Sequence, residues 1–101
     1  MVFFFGLALA ADPAAGRAVF EANCTACHGL AGDGKGPAAL ALKVKPADFT
    51  QAVWWSTRTD TDVAASIRAG KPGTPMVAFS SLTDVQVADL VAYLRSLSKA
   101  P

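Results

Sequence analysis

The feature that most constrains this 101-residue chain is the run Cys24-Thr25-Ala26-Cys27-His28, which contains both cysteines and the only histidine. On a helical turn, positions i, i+3 and i+4 share one face, so the two thiols and the imidazole project together. The spacing C-x-x-C-H is the signature of covalent attachment of a c-type haem. Two thioethers would then form at the porphyrin edge, and the imidazole of His28 would ligate the iron. The run therefore predicts a fold built around one haem c, held covalently through Cys24 and Cys27.

Other interpretations of the cysteine pair fit the chain less well. A thioredoxin-like redox pair is typical of a βαβ setting, whereas the flanking sequence is Ala-rich and shows no strand-like alternation. A structural zinc site needs four ligands, and two cysteines and one histidine leave it one ligand short. A disulfide between the two cysteines leaves the adjacent histidine unexplained. A disulfide or a redox pair thus remains the alternative to haem attachment.

The second axial ligand of such an iron is predicted by elimination. No second histidine exists, and Met76 is the only methionine besides Met1. A methionine within a helix is more often core filler. Met76 instead sits on a loop with glycines at 70 and 73 and prolines at 72 and 75, which make the loop stiff and unable to continue a helix. We therefore predict Met76 as the distal ligand, with Lys71 as the nearby amine that could replace it at high pH.

The N-terminus and the charge indicate where such a protein works. Residues 2–10 are apolar, and Ala8-Leu9-Ala10 fits an A-x-A cleavage site, although no Lys or Arg precedes the run. This run is too short to span a bilayer, which takes about 20 residues. We predict a signal peptide over 1–10, a single domain over 11–101, and a protein that is periplasmic or otherwise exported. The net charge of +1 argues against nucleic acid or an anionic membrane as partner.

The remaining patterns predict an all-α fold. Asp12-Pro13 suits the start of a first helix. Thr59 or Asp60 can cap a helix over 60–69, which Gly70 ends. Thr83-x-x-Gln86 is a capping box that predicts the start of the last helix. Gly16 within the first helix suggests close packing of another backbone. The Gly-rich segment 29–37 does not match a phosphate-binding loop. Trp54 and Trp55 are predicted either as core or haem-packing aromatics, or as a source of one indole N–H for a haem propionate; the sequence does not choose between the two.

These residues together resemble the class I c-type cytochromes, especially the small bacterial branch that includes cytochrome domains of cbb3-oxidase type. The resemblance implies three to five helices around one haem, with Gly16 and Phe20 of the first helix meeting the last helix at Leu90, Tyr93 and Leu94. It also implies that the carbonyl of Pro37 accepts from Nδ1–H of His28, and it matches Met76 to the distal ligand. Val77 stands where many relatives have proline. The resemblance is carried by Gly16, Phe20, Cys24–His28, Gly36-Pro37, Lys45–Phe49, Ile67-x-x-Gly70, Met76–Phe79 and Asp89–Leu94.

The expected function is that of an exported monohaem cytochrome c, a non-enzymatic carrier of single electrons between redox partner proteins. One alternative is a haem c subunit of a larger dehydrogenase or terminal oxidase, so the chain would be a monomer or a subunit of a respiratory complex. A gas-binding or peroxidatic protein would need five-coordinate iron, and it fits the predicted ligand pair poorly. Surface lysines at 35, 43, 45 and 71 either surround the haem edge or are simply solvated.

Overall fold

A computed structural model describes residues 10–99 as a bundle of short and medium helices joined by irregular loops. The predicted leader, apart from Ala10, lies outside the described residues. Within them the predicted all-α fold is confirmed, and no helix there is long and apolar enough to cross a membrane. The five α-helices are α1 (Pro13–Asn23), α2 (Thr25–His28), α3 (Ala52–Trp55), α4 (Asp60–Ala69) and α5 (Asp84–Ser96), with a 3-10 helix at Ala39–Ala41 between α2 and α3.

The long helices begin where the capping residues predict. The carboxylate of Asp12 accepts from the N–H of Ala14 at 2.9 Å, with Pro13 at the first helical position. Both α4 and α5 open with complete capping boxes, formed by Thr59 with Asp62 and by Thr83 with Gln86. Each box satisfies N–H groups that the first helical turn leaves without a partner.

Helices α1 and α5 cross at Gly16. A Cβ atom at this position would collide with the carbonyl group of Asp89, so only glycine permits the two backbones to come this close. One turn further on, Phe20 is completely buried, and its ring lies 5.4 Å from that of Tyr93. The carboxylate of Asp89 accepts from the backbone N–H of Asp12 at 2.8 Å, which ties the start of α1 to α5. The predicted crossing of the first and last helices is confirmed.

One apolar core links this crossing to α4 and to the loop that carries Phe49. Fully burying a Leu, Val or Phe side chain contributes about 1.5–3 kcal/mol, so this core dominates the stability of the domain. By contrast, the exposed ion pair between Arg95 and Asp60, at 2.7 Å, contributes at most about 1 kcal/mol. The buried core residues are Phe20, Phe49, Trp55, Val63, Ile67, Val87, Leu90, Val91 and Leu94.

Candidate haem site

A cavity of about 610 Å³ opens beside this core. Its walls come from α2, the loop at 42–49, α4 and the loop at 70–79. Cys24, Cys27, His28 and Met76 all line it, although Met76 lies far along the chain from the other three. Its volume falls within the range of small-molecule and cofactor sites. The fold therefore brings together the four side chains that the sequence predicts for haem binding.

The cysteine pair lies on a sharp turn rather than within one continuous helix. Helix α1 ends at Asn23, Cys24 leaves the helical region at φ −121° and ψ −17°, and α2 starts at Thr25. A hydrogen bond of 3.0 Å from the N–H of His28 to the carbonyl of Cys24 keeps the turn closed. Both sulfurs are half-buried free thiols. Cys24, Cys27 and His28 therefore share one turn, but this turn is a separate one-turn helix capped by Cys24 and not part of α1.

The electrostatics of Cys24 argue against a thioredoxin-like redox pair. Burial, reinforced by the neighbouring Cys27, raises the pKa of the Cys24 thiol to about 11. Redox-active cysteines instead have lowered pKa values, because the thiolate is the reactive form. A half-buried thiol with a raised pKa is therefore poorly suited to disulfide exchange.

His28 is held as a neutral imidazole. Burial lowers its pKa, and the hydrogen bond to the carbonyl of Ala47 opposes that effect without cancelling it. Nδ1 lies 3.2 Å from this carbonyl oxygen, which can only accept, so the proton is on Nδ1 and the lone pair is on Nε2. The ring of Phe49 stacks on the imidazole at 4.7 Å. Such a carbonyl partner and a stacked ring are what orient a metal-ligating histidine.

The acceptor opposite Nδ1 is thus Ala47, and the predicted contact with Pro37 is wrong in this structure. The N–H of Gly36 donates to Cys27 and that of Ala38 to Ala26, at 3.0 and 2.8 Å. These two hydrogen bonds hold the residues on either side of Pro37 against the backbone of α2. Pro37 itself is exposed. The segment that reaches the ring is the later loop, which carries Ala47 and Phe49.

The loop of Met76 is tightly closed by its own backbone. Gly70 ends α4 at φ +73°, and a Cβ there would lie 2.8 Å from the carbonyl oxygen of Met76. The N–H of Met76 donates to the hydroxyl of Thr74 at 3.2 Å, and that hydroxyl donates to the carbonyl of Lys71 at 2.8 Å. This network holds the half-buried thioether in the cavity wall. A stiff loop of this kind is what the glycines and prolines of the sequence predict.

The structure distinguishes the two tryptophans. The indole N–H of the buried Trp55 donates to the carbonyl of Phe49 at 2.9 Å, so Trp55 belongs to the core and not to the cavity wall. Of the roles that the sequence left open for Trp55, the structure places it in the core. Trp54 does line the cavity, with its ring edge-on to Trp55 at 4.8 Å.

Arg58, which no sequence pattern singled out, lies on the same wall. The centre of its guanidinium lies 4.4 Å from the centroid of the Trp54 ring, and Nη1 donates to the carbonyl of Trp54 at 2.9 Å. No helical period marked this pair in the sequence, because α3 ends at Trp55 and Arg58 lies beyond it. The roles of Ala47 and Phe49 had no local signal either, since contacts between distant loops leave no local period.

The donor set and the walls fit a covalently bound haem. Two thiols, one imidazole whose Nε2 lone pair is available, one thioether and mainly apolar side chains surround the cavity, and His/Met ligation is typical of cytochromes c. Among residues 10–99, no group of three or more His, Cys, Asp or Glu side chains could hold a metal ion by itself. The site is therefore suited to a metal already held by a macrocycle.

Known proteins of similar sequence agree with this chemistry. The family profile for cytochrome c matches residues 13–98. A cytochrome c6 of Picosynechococcus sp. is 37% identical over 99 residues, covering 92% of this chain and 80% of that protein. The cbb3-type cytochrome c oxidase subunit FixPc of Rhizobium leguminosarum bv. viciae is 32% identical over 83 residues, which are 82% of this chain but only 27% of that protein.

Solved structures give the same picture. Cytochrome c6 from the diatom Phaeodactylum tricornutum superposes with a TM-score of 0.61 at 26% identity, covering 84% of this chain and 92% of that one. A chain of the reducing HAO-like protein complex of Kuenenia stuttgartiensis reaches a TM-score of 0.73 at 31% identity over 83% of this chain, which spans 41% of that chain. Cofactor and general function follow: one haem c is bound covalently through Cys24 and Cys27, and the protein transfers electrons to and from redox partners without being an enzyme. The chain belongs to the cytochrome c family.

Proposed function

We propose that this protein is an exported carrier of single electrons whose haem iron is ligated by His28 and Met76. The observation that carries the proposal is that both side chains line the one cavity that also receives the two cysteines. Haem c supplies a one-electron couple between ferric and ferrous iron. The chain's own residues orient the ligands, keep water out and leave no open position for a substrate.

Each ligand is prepared by the residues around it. Ala47 keeps the proton of His28 on Nδ1 and so presents Nε2 to the iron. The loop closed by Thr74 offers the sulfur of Met76, and a thioether ligand raises the midpoint potential. Ile67 and Phe79 contribute apolar wall, which favours the less charged ferrous state.

Replacing Met76 tests the ligand assignment. In Met76→Ala we expect loss of the weak far-red sulfur-to-iron absorption of the ferric protein, a lower midpoint potential and binding of added carbon monoxide to the ferrous form. Met76→His should lower the potential while the iron stays six-coordinate. Val77→Ala is the matched control, because Val77 adjoins the ligand on the same wall but is 60% exposed and offers no donor atom. An unchanged band and potential in Met76→Ala would show that Met76 is not the ligand.

Export is tested by the N-terminus of the mature protein. Cleavage of the predicted leader should leave a chain that begins at or near Ala11. Retention of Phe3–Phe5 on the protein in a membrane fraction would instead indicate an uncleaved hydrophobic anchor and would contradict cleavage of the leader.

A second candidate function is that of a haem c subunit in a larger complex. It is favoured by the likeness to an oxidase subunit and to a chain of the Kuenenia stuttgartiensis complex, both longer than this protein. Purification of the tagged protein from its native source under mild conditions separates the two candidates. A carrier should elute alone, whereas a subunit should co-elute with a stoichiometric partner.

A further inference from the structure

We propose that cleavage of the leader stabilises the crossing of α1 and α5, because the new α-ammonium of Ala11 then forms an ion pair with the buried carboxylate of Asp89. The inference rests on the proposed export, since it needs a mature chain that begins at Ala11. It concerns a group that haem binding does not use. Within residues 10–99, Asp89 is the only charged residue that is buried.

The carboxylate of Asp89 is buried without a cation beside it. The residue is only 8% exposed. Among the described residues, its one hydrogen-bond donor is the backbone N–H of Asp12, which lies 2.8 Å from Oδ1. The ion pairs formed within that part of the chain all involve other acids. A carboxylate taken out of water needs further donors or a counter-charge, so the crossing lacks a positive group at this point.

Cleavage after Ala10 would create that positive group in the right place. Three covalent bonds connect the backbone nitrogens of Ala11 and Asp12, so the two nitrogens lie about 3–4 Å apart. The nitrogen of Asp12 is itself within hydrogen-bond distance of Asp89. An opposite charge within about 4–6 Å favours the ionised form of each partner. In the uncleaved chain the nitrogen of Ala11 is a neutral amide, so only the mature chain has the counter-charge.

The other charged groups near the crossing are already paired. On α1, Arg17 donates to Glu21 at 3.2 Å, and Arg68 of α4 donates to Asp84 of α5 at 2.6 Å. Tyr93, one turn further along α5, packs its ring against α1. The N-cap carboxylate of α1 adds a second negative charge beside the amine, whereas the dipole of α1 repels a cation at its N-terminus. Two carboxylates against one helix dipole favour the ion pair.

Such a pair has a defined pH dependence. An α-amine has an ordinary pKa of about 7.7–8.0, and a carboxylate partner raises this pKa in the folded state only. The stabilisation is therefore fully present below the ordinary pKa and is lost as pH rises through the raised value. A pKa raised by about one unit corresponds to an unfolding equilibrium constant that is about tenfold smaller.

Urea unfolding of the haem-loaded protein at about pH 6.5 and about pH 9.5 tests the proposal, with urea chosen because salt screens ion pairs. The mature form, which begins at Ala11, is compared with a form that carries Gly-Ser-Gly before Ala11 and so moves the amine away. At the lower pH we expect an unfolding equilibrium constant about tenfold larger in the extended form, and at the higher pH most of this difference should disappear. Asp89→Asn should abolish the difference. Asp84→Asn is the matched control and should retain it, because Asp84 is exposed on the same helix.

Titration of the amine itself keeps the test valid if Asp89→Asn does not fold. The NMR signal of the Ala11 methyl group in the mature wild type should report a pKa about one unit above the ordinary range. An ordinary pKa, or equal stability of the mature and extended forms at the lower pH, would overturn the proposal. A native N-terminus other than Ala11 would contradict cleavage of the leader at this position, whereas the ion pair is measured on forms whose first residue is defined. The two failures are therefore distinguishable.

Discussion

The crossing of α1 and α5 and the wall of the haem cavity show two different ways of building one small domain. At the crossing, two regular helices meet backbone to backbone at Gly16 and bury Phe20 completely. At the cavity, loops at 42–49 and 70–79 are shaped by single backbone hydrogen bonds, such as the one from Phe79 to Ile67 at 2.9 Å. The crossing is complete as protein alone, whereas the cavity wall is complete only around its haem.

The difference indicates where stability resides. Packed helices gain free energy from apolar contacts that exist with or without a cofactor. The cavity loops enclose about 610 Å³ with mainly apolar side chains, and they gain comparable contacts only when haem fills that space. We therefore expect changes at the crossing to alter global unfolding and changes at the wall to alter the haem first.

The largest loss of stability should come from preventing haem attachment. Without haem the mainly apolar wall of this open cavity meets water. Each apolar side chain left exposed forfeits about 1.5–3 kcal/mol of burial, so a few of them are comparable to a whole small domain's stability. In Cys24→Ala/Cys27→Ala purified without haem, the loops at 42–49 and 70–79 should therefore lose their structure while α1 and α5 keep part of theirs. Amide hydrogen exchange, compared with the haem-loaded wild type, measures this. Equal protection of loops and helices in the variant would contradict the division between the two regions.

The next largest effect is expected at the crossing itself. Helix propensity alone would make Gly16→Ala stabilising by about 1 kcal/mol. The new Cβ would instead collide with the Asp89 carbonyl, and overpacking of this kind costs about 1–3 kcal/mol or more. The sign of the change in the free energy of unfolding in guanidinium is thus the test. The control is Gly73→Ala, where no atom lies within 4 Å and only the positive φ of +80° opposes the change, at about 1–2 kcal/mol.

Trp54 and Trp55 provide a matched pair of variants, because Trp54 lines the cavity and Trp55 lies in the core. Trp55→Phe removes the N–H that satisfies the carbonyl of Phe49, and loss of such a buried partner costs about 1–3 kcal/mol. Trp54→Phe should cost less stability but should shift the midpoint potential, because Trp54 lines the cavity and supports Arg58. Thermal unfolding and redox titration of both variants measure the two effects. A midpoint potential that shifts in Trp55→Phe but not in Trp54→Phe would contradict these two roles.

The smallest expected change in the free energy of unfolding comes from the two capping boxes, and in the box of α4 this change depends on pH. Hydrogen bonds from the backbone and side chain of Thr59 lower the pKa of Asp62 below its ordinary 3.8. A carboxylate whose folded pKa is lowered stabilises the fold above 3.8 and loses that contribution as pH falls through the folded value. Asp62→Asn should therefore destabilise α4 at pH 7 and make little difference at the acid end. The capping box of α5 uses Gln86, which does not titrate. Gln86→Ala should therefore lower the free energy of unfolding by the same amount at both pH values. Denaturant unfolding measures both variants.

Much of the fold follows from local sequence. The starts of α1, α4 and α5 are determined by the capping residues at Asp12-Pro13, Thr59 and Thr83, respectively. A capping side chain bonds to N–H groups only two or three residues away, so these interactions are local. The C-x-x-C-H run determines the cofactor for the same reason, since three reactive groups lie within one turn. Elimination adds Met76 as a predicted ligand because the chain has so few candidate donors.

Other features depend on which distant segments meet. Ala47 rather than Pro37 faces Nδ1 of His28, and Trp54 rather than Trp55 faces the cavity. Both outcomes depend on how the segment 42–58, which includes the one-turn helix α3, packs against α2. A segment without a repeating pattern carries no periodic signal of its path. Arg58 acquires its place for the same reason. The sequence by itself therefore determined the helices and the haem-attachment motif, through interactions a few residues long. Only the tertiary structure decided which carbonyl, which indole and which cation surround the cavity, because those contacts join residues that packing alone brings together.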